Sequence, residues 1–381
     1  MQYTLTEEQR DLQVALREFA LERLMPRARR WLTEPWPREL GQELGDLGVL
    51  GMRIPEEFGG NPATFVDMGI ASEELCRGDI NVSPLIYMAM IAAGILSKAS
   101  REVQEEYLPG LAAGTKFICF GLTEPGVGSD PANLITTARK DGDDFIINGE
   151  KASITTAGLA DACILFARTG DAGHGGITVI FVPMDTPGVS RQVYDVQGRH
   201  MTQRGSIFFD NVRVPISAQI GEEGTGFRSA MEAFDFNRAL IALACIGAAQ
   251  QSLDETAEYA KIRTTMGKPL AKHQAIATLL GEHLALIHSA RLLAFETLAL
   301  ADAGLPHTSV AAMAKLLGPK YSVDAIHSCL LVHGWAGYGS DLPFQQRLND
   351  VMGSEIGDGT AEIMKLIIAR EKLGRGFSAF R

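Results

Sequence analysis

The chain has 381 residues, a length that predicts two or three domains at about 150 residues each. Hydrophobic residues make up 46% and charged residues 21% of the sequence, which predicts a packed core and excludes an intrinsically disordered protein. The 35 basic and 46 acidic residues leave a formal charge of -11. This charge argues against nucleic acid as a partner, because a negative surface repels phosphate backbones.

Cysteine usage and hydropathy indicate the compartment. Five cysteines are scattered along the chain without a C-x-x-C pair, so we predict neither a disulfide framework nor a metal site, and expect a reducing, cytoplasmic environment. The apolar run nearest to a membrane span covers residues 87–96, which is far short of the roughly 18 residues that a transmembrane helix needs. We therefore expect no membrane partner.

Hydrophobic periodicity divides the chain into three parts. The T-E-E-Q string at residues 6–9 has the form of a helix capping box, and apolar residues keep a helical spacing to about residue 115. From Phe117 to Pro215, short β-prone runs alternate with turn signals, which is typical of an antiparallel sheet. Beyond Gly226 the spacing is helical again. We predict a mainly α protein with an N-terminal helical domain (1–116), a middle antiparallel β domain of barrel or sandwich type (117–226) and a C-terminal helical bundle (227–381).

Common nucleotide-binding and catalytic motifs are absent from the sequence. There is no G-x-G-x-x-G after a predicted strand and no G-x-x-x-x-G-K-[ST], which argues against a Rossmann or P-loop enzyme. His273 and His333 are isolated, without an H-E-x-x-H or Ser/His/Asp pattern, so we expect structural roles for both.

Two loops carry candidate chemistry. Residues 122–130, L-T-E-P-G-V-G-S-D, combine small residues with hydroxyls, which would let backbone N–H groups approach a ligand closely, although a plain turn fits them equally well. Residues 355–360, E-I-G-D-G-T, place Asp358 between two glycines just before an amphipathic run. On composition alone, the favoured role for Asp358 is a helix cap. The alternative role is a base that its small neighbours expose to a pocket.

In order, five segments resemble the signatures of one family, the flavin-dependent acyl-CoA dehydrogenases. The resemblance covers essentially the whole chain, with the family's order and spacing. The segments are T-E-P-G-V-G-S-D (123–130), I-I-N-G-E-K with I-T (146–155), F-D-N-V-R-V-P (209–215), R-T-T-M-G-K-P with H-Q-A-I (263–276) and G-D-G-T with I-A-R-E (357–371). The G-W-A-G-Y-G run at 334–339 and the string at 355–360 look most like the cyclohexanecarboxyl-CoA dehydrogenase branch.

The resemblance implies a central β domain between helical domains, a C-terminal four-helix bundle, and FAD lying between the β domain and the bundle. It implies FAD contacts at Phe120, Leu122, Thr123, Gly128, Ser129, Ile154, Thr155 and Thr360. It implies contacts to the FAD of a neighbouring subunit at Arg263, Thr265, Met266 and Gln274. The acyl-CoA site would be lined by Ser129, Phe234, Asp235, Asn237 and Arg238. The resemblance also implies that the protein forms a homotetramer, built as a dimer of dimers. It implies electron-transferring flavoprotein or a similar protein as the electron acceptor.

Four departures from the family pattern bear on function. The usual base is a Glu where this chain has Asp358, which shortens the reach of the carboxylate by roughly 1.5 Å. Some relatives carry their base at the position of Asn237, whose amide cannot abstract a proton. Leu331 and Trp335 replace a Gln and a Gly, which puts FAD contacts across the subunit interface in doubt. Ser153 replaces the aromatic residue that usually covers the flavin edge.

The family chemistry implies that Asp358 removes the α-proton of an acyl-CoA thioester while the β-hydride passes to FAD. The backbone N–H of Asp358 and a ribityl hydroxyl of FAD would donate hydrogen bonds to the thioester carbonyl oxygen. Gly357, where relatives often carry a bulky aromatic, leaves room for a branched or cyclic α-carbon, so we expect 1,2-dehydrogenation of cyclohexane-1-carboxyl-CoA to the cyclohex-1-ene thioester. Two alternatives stay open. The same fold could run a 1,4-elimination, an enoyl-CoA reduction or a desulfination, or it could be a non-catalytic scaffold that binds FAD or CoA.

Overall fold

The computed structural model describes residues 4–28 and 38–377 and begins with five helices. They are α1 (Glu7–Phe19), α2 (Arg38–Asp46), α3 (Phe65–Gly78), α4 (Ser83–Leu96) and α5 (Arg101–Ala112). Helix α1 starts as predicted: the Thr6 hydroxyl accepts a hydrogen bond from Gln9 N at 3.2 Å, and Gln9 Oε1 accepts one from Thr6 N at 3.1 Å. These reciprocal bonds confirm the capping box. A π-helical turn extends the helix to Leu24, two residues before Pro26.

Helix α4 is buried on nearly every side and forms one wall of the site described below. Its sequence is apolar all round instead of amphipathic, which is typical of a helix enclosed by other elements. Pro84 lies in its first turn, where the missing N–H breaks no intrahelical bond. Tyr87 and Met88 face the large cavity.

The middle of the chain forms one eight-stranded sheet in the order β6-β7-β3-β2-β4-β5-β8, with β1 beside β4. The strands are β1 (Ile118–Gly121), β2 (Thr137–Asp141), β3 (Asp144–Ile154), β4 (Ala162–Arg168), β5 (Ile177–Pro183), β6 (Val189–Val193), β7 (Gly205–Pro215) and β8 (Gln219–Ile220). Most neighbours are antiparallel, as predicted. However, β1 pairs with β4 in parallel, with Ile118 opposite Ala162, and β2 meets β4 in parallel at Thr137 and Arg168. These strands are joined by long crossovers and not by hairpins, and a crossover is what a parallel pair requires.

The C-terminal helices form the predicted bundle. They are α6 (Gly226–Ile262), α7 (Gln274–Asp302), α8 (Thr308–Val332), α9 (Trp335–Tyr338), α10 (Phe344–Met352) and α11 (Ala361–Leu373), with a small hairpin of β9 (Thr264–Thr265) and β10 (Lys268–Pro269) after α6. Helices α6, α7 and α8 pack on one another, and α11 packs on α8. A Cβ added at Gly318 of α8 would lie 2.7 Å from the Ala242 Cβ on α6, so glycine permits the close approach of these two helices.

Helix α7 is more apolar than the sequence analysis recognised. It contains an 18-residue window of mean hydropathy 1.5, long and apolar enough to cross a membrane, of which 33% is buried. The prediction that residues 87–96 come nearest to a membrane span is therefore wrong. In the structure, Ile287, Ala290 and Ala294 of α7 are buried in the bundle, whereas Leu284 and Leu292 are exposed. Exposed apolar side chains along a bundle helix are typical of a surface that packs against another protein.

Three parts of the chain meet at the buried carboxylate of Asp350, on α10. Its Oδ1 accepts a hydrogen bond from Arg199 N of the β domain at 2.5 Å, and its Oδ2 accepts one from Asn81 Nδ2 of the N-terminal helices at 2.9 Å. Arg199 also donates to Ser354 Oγ at 2.6 Å. Burial, reinforced by the charge of Asp350, raises the pKa of neighbouring Asp79 to about 7. This joint ties the sheet to both sets of helices, and so fixes the walls of the site.

Candidate active site

A cavity of about 1580 Å³ lies where the sheet, α4 and the C-terminal helices meet. Ordinary small-molecule pockets measure roughly 300–1,000 Å³, so this cavity has room for two ligands in contact. Its walls include β1 and the loop that follows, the end of β3, the first turns of α6, and the segment before α11. The predicted site residues that line it are Phe120, Leu122, Thr123, Gly128, Ser129, Ile154, Thr155, Phe234, Asp235, Arg238, Asp358 and Thr360.

The loop after β1 is anchored by a buried ion pair that holds its backbone against the sheet. Lys151 Nζ on β3 donates to Glu124 Oε1 at 2.7 Å and to the Leu122 carbonyl at 3.0 Å. The Glu124 carboxylate also accepts from the backbone N–H groups of Ile135 and Thr136 at 2.7 and 2.9 Å. Burial lowers the pKa of Lys151 to about 8, although Glu124 acts in the opposite direction. The loop conformation is therefore set by groups beneath it.

The two glycines of the same loop, Gly126 and Gly128, lie in open space. A Cβ added at Gly126 or Gly128 would meet none of the described residues within 4 Å, so packing among these residues does not require glycine at either position. Gly128 lines the cavity beside the hydroxyls of Thr123 and Ser129. The loop thus presents backbone and hydroxyl hydrogen-bonding groups to a ligand that lies on it.

The end of β3 forms a second wall, and its conformation depends on a residue that the sequence analysis missed. Ser153 has a left-handed backbone, with φ +58°. Arg204 donates to the Ser153 carbonyl at 2.7 Å and to Thr155 Oγ1 at 2.9 Å. Because the Thr155 hydroxyl accepts this bond, its own hydrogen is free to donate toward the cavity. Burial lowers the pKa of Arg204, and the nearby Tyr87 acts against that shift.

Asp358 lies in the segment between a short 3₁₀ turn and α11, and it does not cap the helix. The cap is Thr360, whose hydroxyl accepts from Ile363 N at 3.4 Å. The helix-cap interpretation of Asp358 is therefore wrong. Asp358 has φ +56° and Gly359 has φ +101°, so two consecutive left-handed residues present the carboxylate at the cavity wall.

A hydrogen bond from Asn237 holds the Asp358 carboxylate in place. It is fully buried on α6, does not itself line the cavity, and donates a short hydrogen bond from Nδ2 to Asp358 Oδ2. Within the part of the chain that the structure describes, Asn237 Oδ1 has no partner. The amide thus fixes one carboxylate oxygen as an acceptor and leaves the other available for a ligand.

Arg238 adds a buried positive charge beside this carboxylate. It is 5% exposed and pairs with Asp235 at 2.7 Å, which in turn accepts from the Thr308 hydroxyl at 2.6 Å. Burial lowers the pKa of Arg238, while the charges of Asp235 and Asp358 act to raise it. The cation sits where negative charge on a ligand would be favoured.

A second predicted set lies far from the cavity. Arg263, Thr265 and Met266 follow the end of α6, whereas the cavity is built around its first turns. Helix α6 has 37 residues, so at about 1.5 Å per helical residue its two ends are roughly 55 Å apart. These residues and Gln274 are exposed at the same end of the bundle as Leu331 and Trp335. They cannot reach the cavity of their own subunit, and their contact with a neighbour's FAD stays a prediction.

The cavity residues fit FAD. The open loop supplies backbone donors and the hydroxyls of Thr123 and Ser129, the β3 edge supplies the free donor of Thr155, and Phe120 supplies an apolar surface. The volume of about 1580 Å³ admits a flavin together with part of a thioester. No cluster of three or more His, Cys, Asp or Glu side chains suited to a metal occurs among the described residues.

Comparisons with known proteins agree with this geometry. The chain matches, in order, the family descriptions "Acyl-CoA dehydrogenase, N-terminal domain" over residues 6–115, "middle domain" over 119–212 and "C-terminal domain" over 224–373. It is 34% identical over 370 residues to the mitochondrial short-chain specific acyl-CoA dehydrogenase of Bos taurus, covering 96% of this chain and 90% of that protein.

Two further relatives bear on the site. The mitochondrial isobutyryl-CoA dehydrogenase of Dictyostelium discoideum is 33% identical over 372 residues, covering 96% of this chain and 89% of that protein. A glutaryl-CoA dehydrogenase from Mycobacterium smegmatis, solved in complex with FADH2, superposes with a TM-score of 0.92 at 32% identity, covering 99% of this chain and 97% of that one. The chain belongs to the acyl-CoA dehydrogenase family and is an FAD-dependent oxidoreductase that acts on the CH–CH group of an acyl-CoA.

Proposed function

We propose that this protein removes the α-proton and β-hydride of an acyl-CoA whose α-carbon is branched or closed into a ring, with Asp358 as the base. Our specific proposal is the conversion of cyclohexane-1-carboxyl-CoA to cyclohex-1-ene-1-carboxyl-CoA. The observation that carries the substrate proposal is the space beside Asp358. Among the described residues, and apart from its two chain neighbours, a Cβ added at Gly357 would meet only the Gly353 carbonyl oxygen, at 3.7 Å, so this position has room that a larger side chain would occupy.

Among the described residues, four acidic side chains line the cavity, and their hydrogen bonds favour Asp358 as the base. Asp235 is engaged by Arg238 and Thr308, and Asp130 accepts from its neighbour Asn133. Asp358 has one oxygen held by a buried amide and its other oxygen without a bond within the described chain. A base needs this combination of fixed position and available lone pair.

Glu355 is the competing carboxylate, since it also lines the cavity. It lies on the 3₁₀ turn, three residues before Asp358 and outside the left-handed segment. The Asp358 loop adds a further feature: within the described residues, the Asp358 backbone N–H donates to no acceptor. A free N–H beside the base is suited to the thioester oxygen, where negative charge develops as the proton leaves.

The chain's own residues then have distinct tasks. The Asp358 carboxylate receives the α-proton, while Asn237 keeps that carboxylate in place. The Asp358 N–H and the buried Arg238 favour the negative charge on the thioester. When bound, FAD supplies the acceptor for the hydride. The loop at residues 123–129 and Thr155 would hold it against the substrate.

The test is a comparison of kcat/KM for cyclohexanecarboxyl-CoA, butyryl-CoA and octanoyl-CoA in the wild type and in Asp358→Glu. We expect the cyclic thioester to be preferred, and Asp358→Glu to lower its turnover more than that of the straight chains, because the longer side chain enters the space beside Gly357. A straight-chain preference of tenfold in the wild type, about 1.4 kcal/mol in the transition state, would contradict the cyclic substrate and leave the family assignment intact.

Partners and location are also proposals. We infer a homotetramer, supported by the exposed Leu284 and Leu292 on the bundle and by Met266 and Trp335, which are 91% and 86% exposed at its end. Apolar side chains so exposed are typical of a surface that a second copy covers. We propose electron-transferring flavoprotein or a similar protein as the acceptor, on the family resemblance, and a cytoplasmic location, on the five reduced, buried cysteines.

A further inference from the structure

A buried lysine lies directly behind the Asp358 loop. Lys315 on α8 is 2% exposed, and its Nζ donates to the Gly359 carbonyl at 3.0 Å. Within residues 4–28 and 38–377, this ammonium forms no ion pair and no other hydrogen bond. Burying a charge with one neutral acceptor costs free energy, so the position calls for a specific role. Burial lowers the pKa of Lys315 to about 8, and the negative charge of Asp358 partly offsets that effect.

The loop that Lys315 contacts has a backbone that needs support. Asp358 and Gly359 both have positive φ, +56° and +101°. A left-handed conformation is strained for a non-glycine residue, so Asp358 would relax if nothing held the segment. Relaxation would rotate the carboxylate away from its present place on the cavity wall.

Two helices hold this segment from two sides. Asn237 on α6 binds the Asp358 side chain, and Lys315 on α8 binds the peptide carbonyl that follows. Helices α6 and α8 are themselves in close contact, through Ala242 and Gly318. The bundle is therefore a rigid frame with two contacts to the loop, one at the carboxylate and one at the backbone.

We propose that Lys315 is a positioning residue, whose hydrogen bond to the Gly359 carbonyl keeps the loop left-handed and so aims the Asp358 carboxylate at the thioester α-carbon. This inference rests on the proposed role of Asp358 as the base. Lys315 does not line the cavity, so it acts through the loop and not by contact with substrate or FAD.

The experiment compares Lys315→Met, which removes the donor and is one atom shorter than lysine, with Lys315→Gln, which has the same length as methionine and keeps an N–H donor. The matched control is Lys320→Met on the same helix, where the lysine is exposed and pairs with Asp324 at 3.6 Å. For each holoenzyme we would measure FAD content, the dissociation constant of the preferred acyl-CoA, kcat, and exchange of the substrate α-proton with deuterated water.

We expect Lys315→Met to lower kcat and α-proton exchange about 10- to 100-fold, because misplacing a reacting group has effects of this size. FAD content and thioester affinity should stay within twofold of the wild type. Lys315→Gln should recover part of the rate, and Lys320→Met should behave as the wild type. If Lys315→Met does not fold, Lys315→Gln carries the test: its kcat and α-proton exchange should fall below those of Lys320→Met, while its FAD content stays within twofold of the wild type.

A rate within twofold of the Lys320→Met control would overturn the proposal. So would a loss of FAD or thioester binding that matches the loss of rate, since that pattern indicates general disruption. An active Asp358→Asn variant would instead refute the base. An inactive Asp358→Asn together with an unaffected Lys315→Met would refute only the role of Lys315.

Discussion

Replacing Lys151 with Met should destabilise the protein and weaken its hold on FAD. The Lys151–Glu124 pair is 2.7 Å long, with the two side chains 0% and 2% exposed. Removing one partner of a buried pair costs about 3–5 kcal/mol, because the other charge stays buried. Here the backbone N–H groups of Ile135 and Thr136 still bind Glu124, so we expect about 2–4 kcal/mol. The Leu122 carbonyl also loses its donor, which should loosen the FAD loop.

The stability assay is urea unfolding of the FAD-free proteins. A separate assay measures how much FAD each holoenzyme retains after dialysis. The control is Lys140→Met, which breaks an exposed pair with Glu223 and should cost less than about 1 kcal/mol. The double variant Lys151→Met with Glu124→Gln should be more stable than Lys151→Met alone, because it leaves no unpaired buried charge. If Lys151→Met and Lys140→Met unfold at the same urea concentration and bind FAD equally, the reasoning about the buried pair is wrong.

One further variant tests the buried carboxylates around Asp350, and another tests the proposed assembly of subunits. The pKa of Asp79, raised to about 7 by burial, lies above its unfolded value of about 3.9, so the native state binds the extra proton and stability falls as pH rises from about 4 to 7. Asp79→Asn should therefore raise the thermal unfolding midpoint more at pH 8 than at pH 5; equal shifts would contradict this. If Arg263 reaches a partner's FAD, Arg263→Met should lower FAD retention and assembly together, and sedimentation of a fully FAD-loaded monomer would refute that contact.

Much of the fold follows from local sequence signals. The capping box at Thr6, the strands around Phe145 and Phe166, and the long helices after Gly226 lie where periodicity predicts them. The parallel pairing of β1 with β4 does not follow in this way, because it joins Ile118 to Ala162 across a loop and a hairpin. Partners so far apart leave no local pattern in the sequence.

The site, like the fold, can be predicted from the sequence only where its residues lie close together along the chain. The loop at 122–130 and the Asp358 segment were recognisable because their glycines and hydroxyls are contiguous. Arg204 and Lys315 were missed, because their contacts, Thr155 and Gly359, are remote in sequence and belong to no motif that names them. In the D-G-T string, Asp358 and Thr360 are both good caps. Only the backbone, left-handed at Asp358, assigns the cap to Thr360.

We propose that Asp358, and not the neighbouring Glu355, takes the α-proton. The most direct measurement is anaerobic mixing of Asp358→Asn and Glu355→Gln holoenzymes with cyclohexanecarboxyl-CoA, following flavin bleaching and α-proton exchange with deuterated water. We expect Asp358→Asn to bind FAD and thioester but to show neither reaction, because the amide keeps the shape and removes the basicity. We expect Glu355→Gln to show both. Bleaching at the wild-type rate in Asp358→Asn, or its loss in Glu355→Gln alone, would show that Asp358 is not the base.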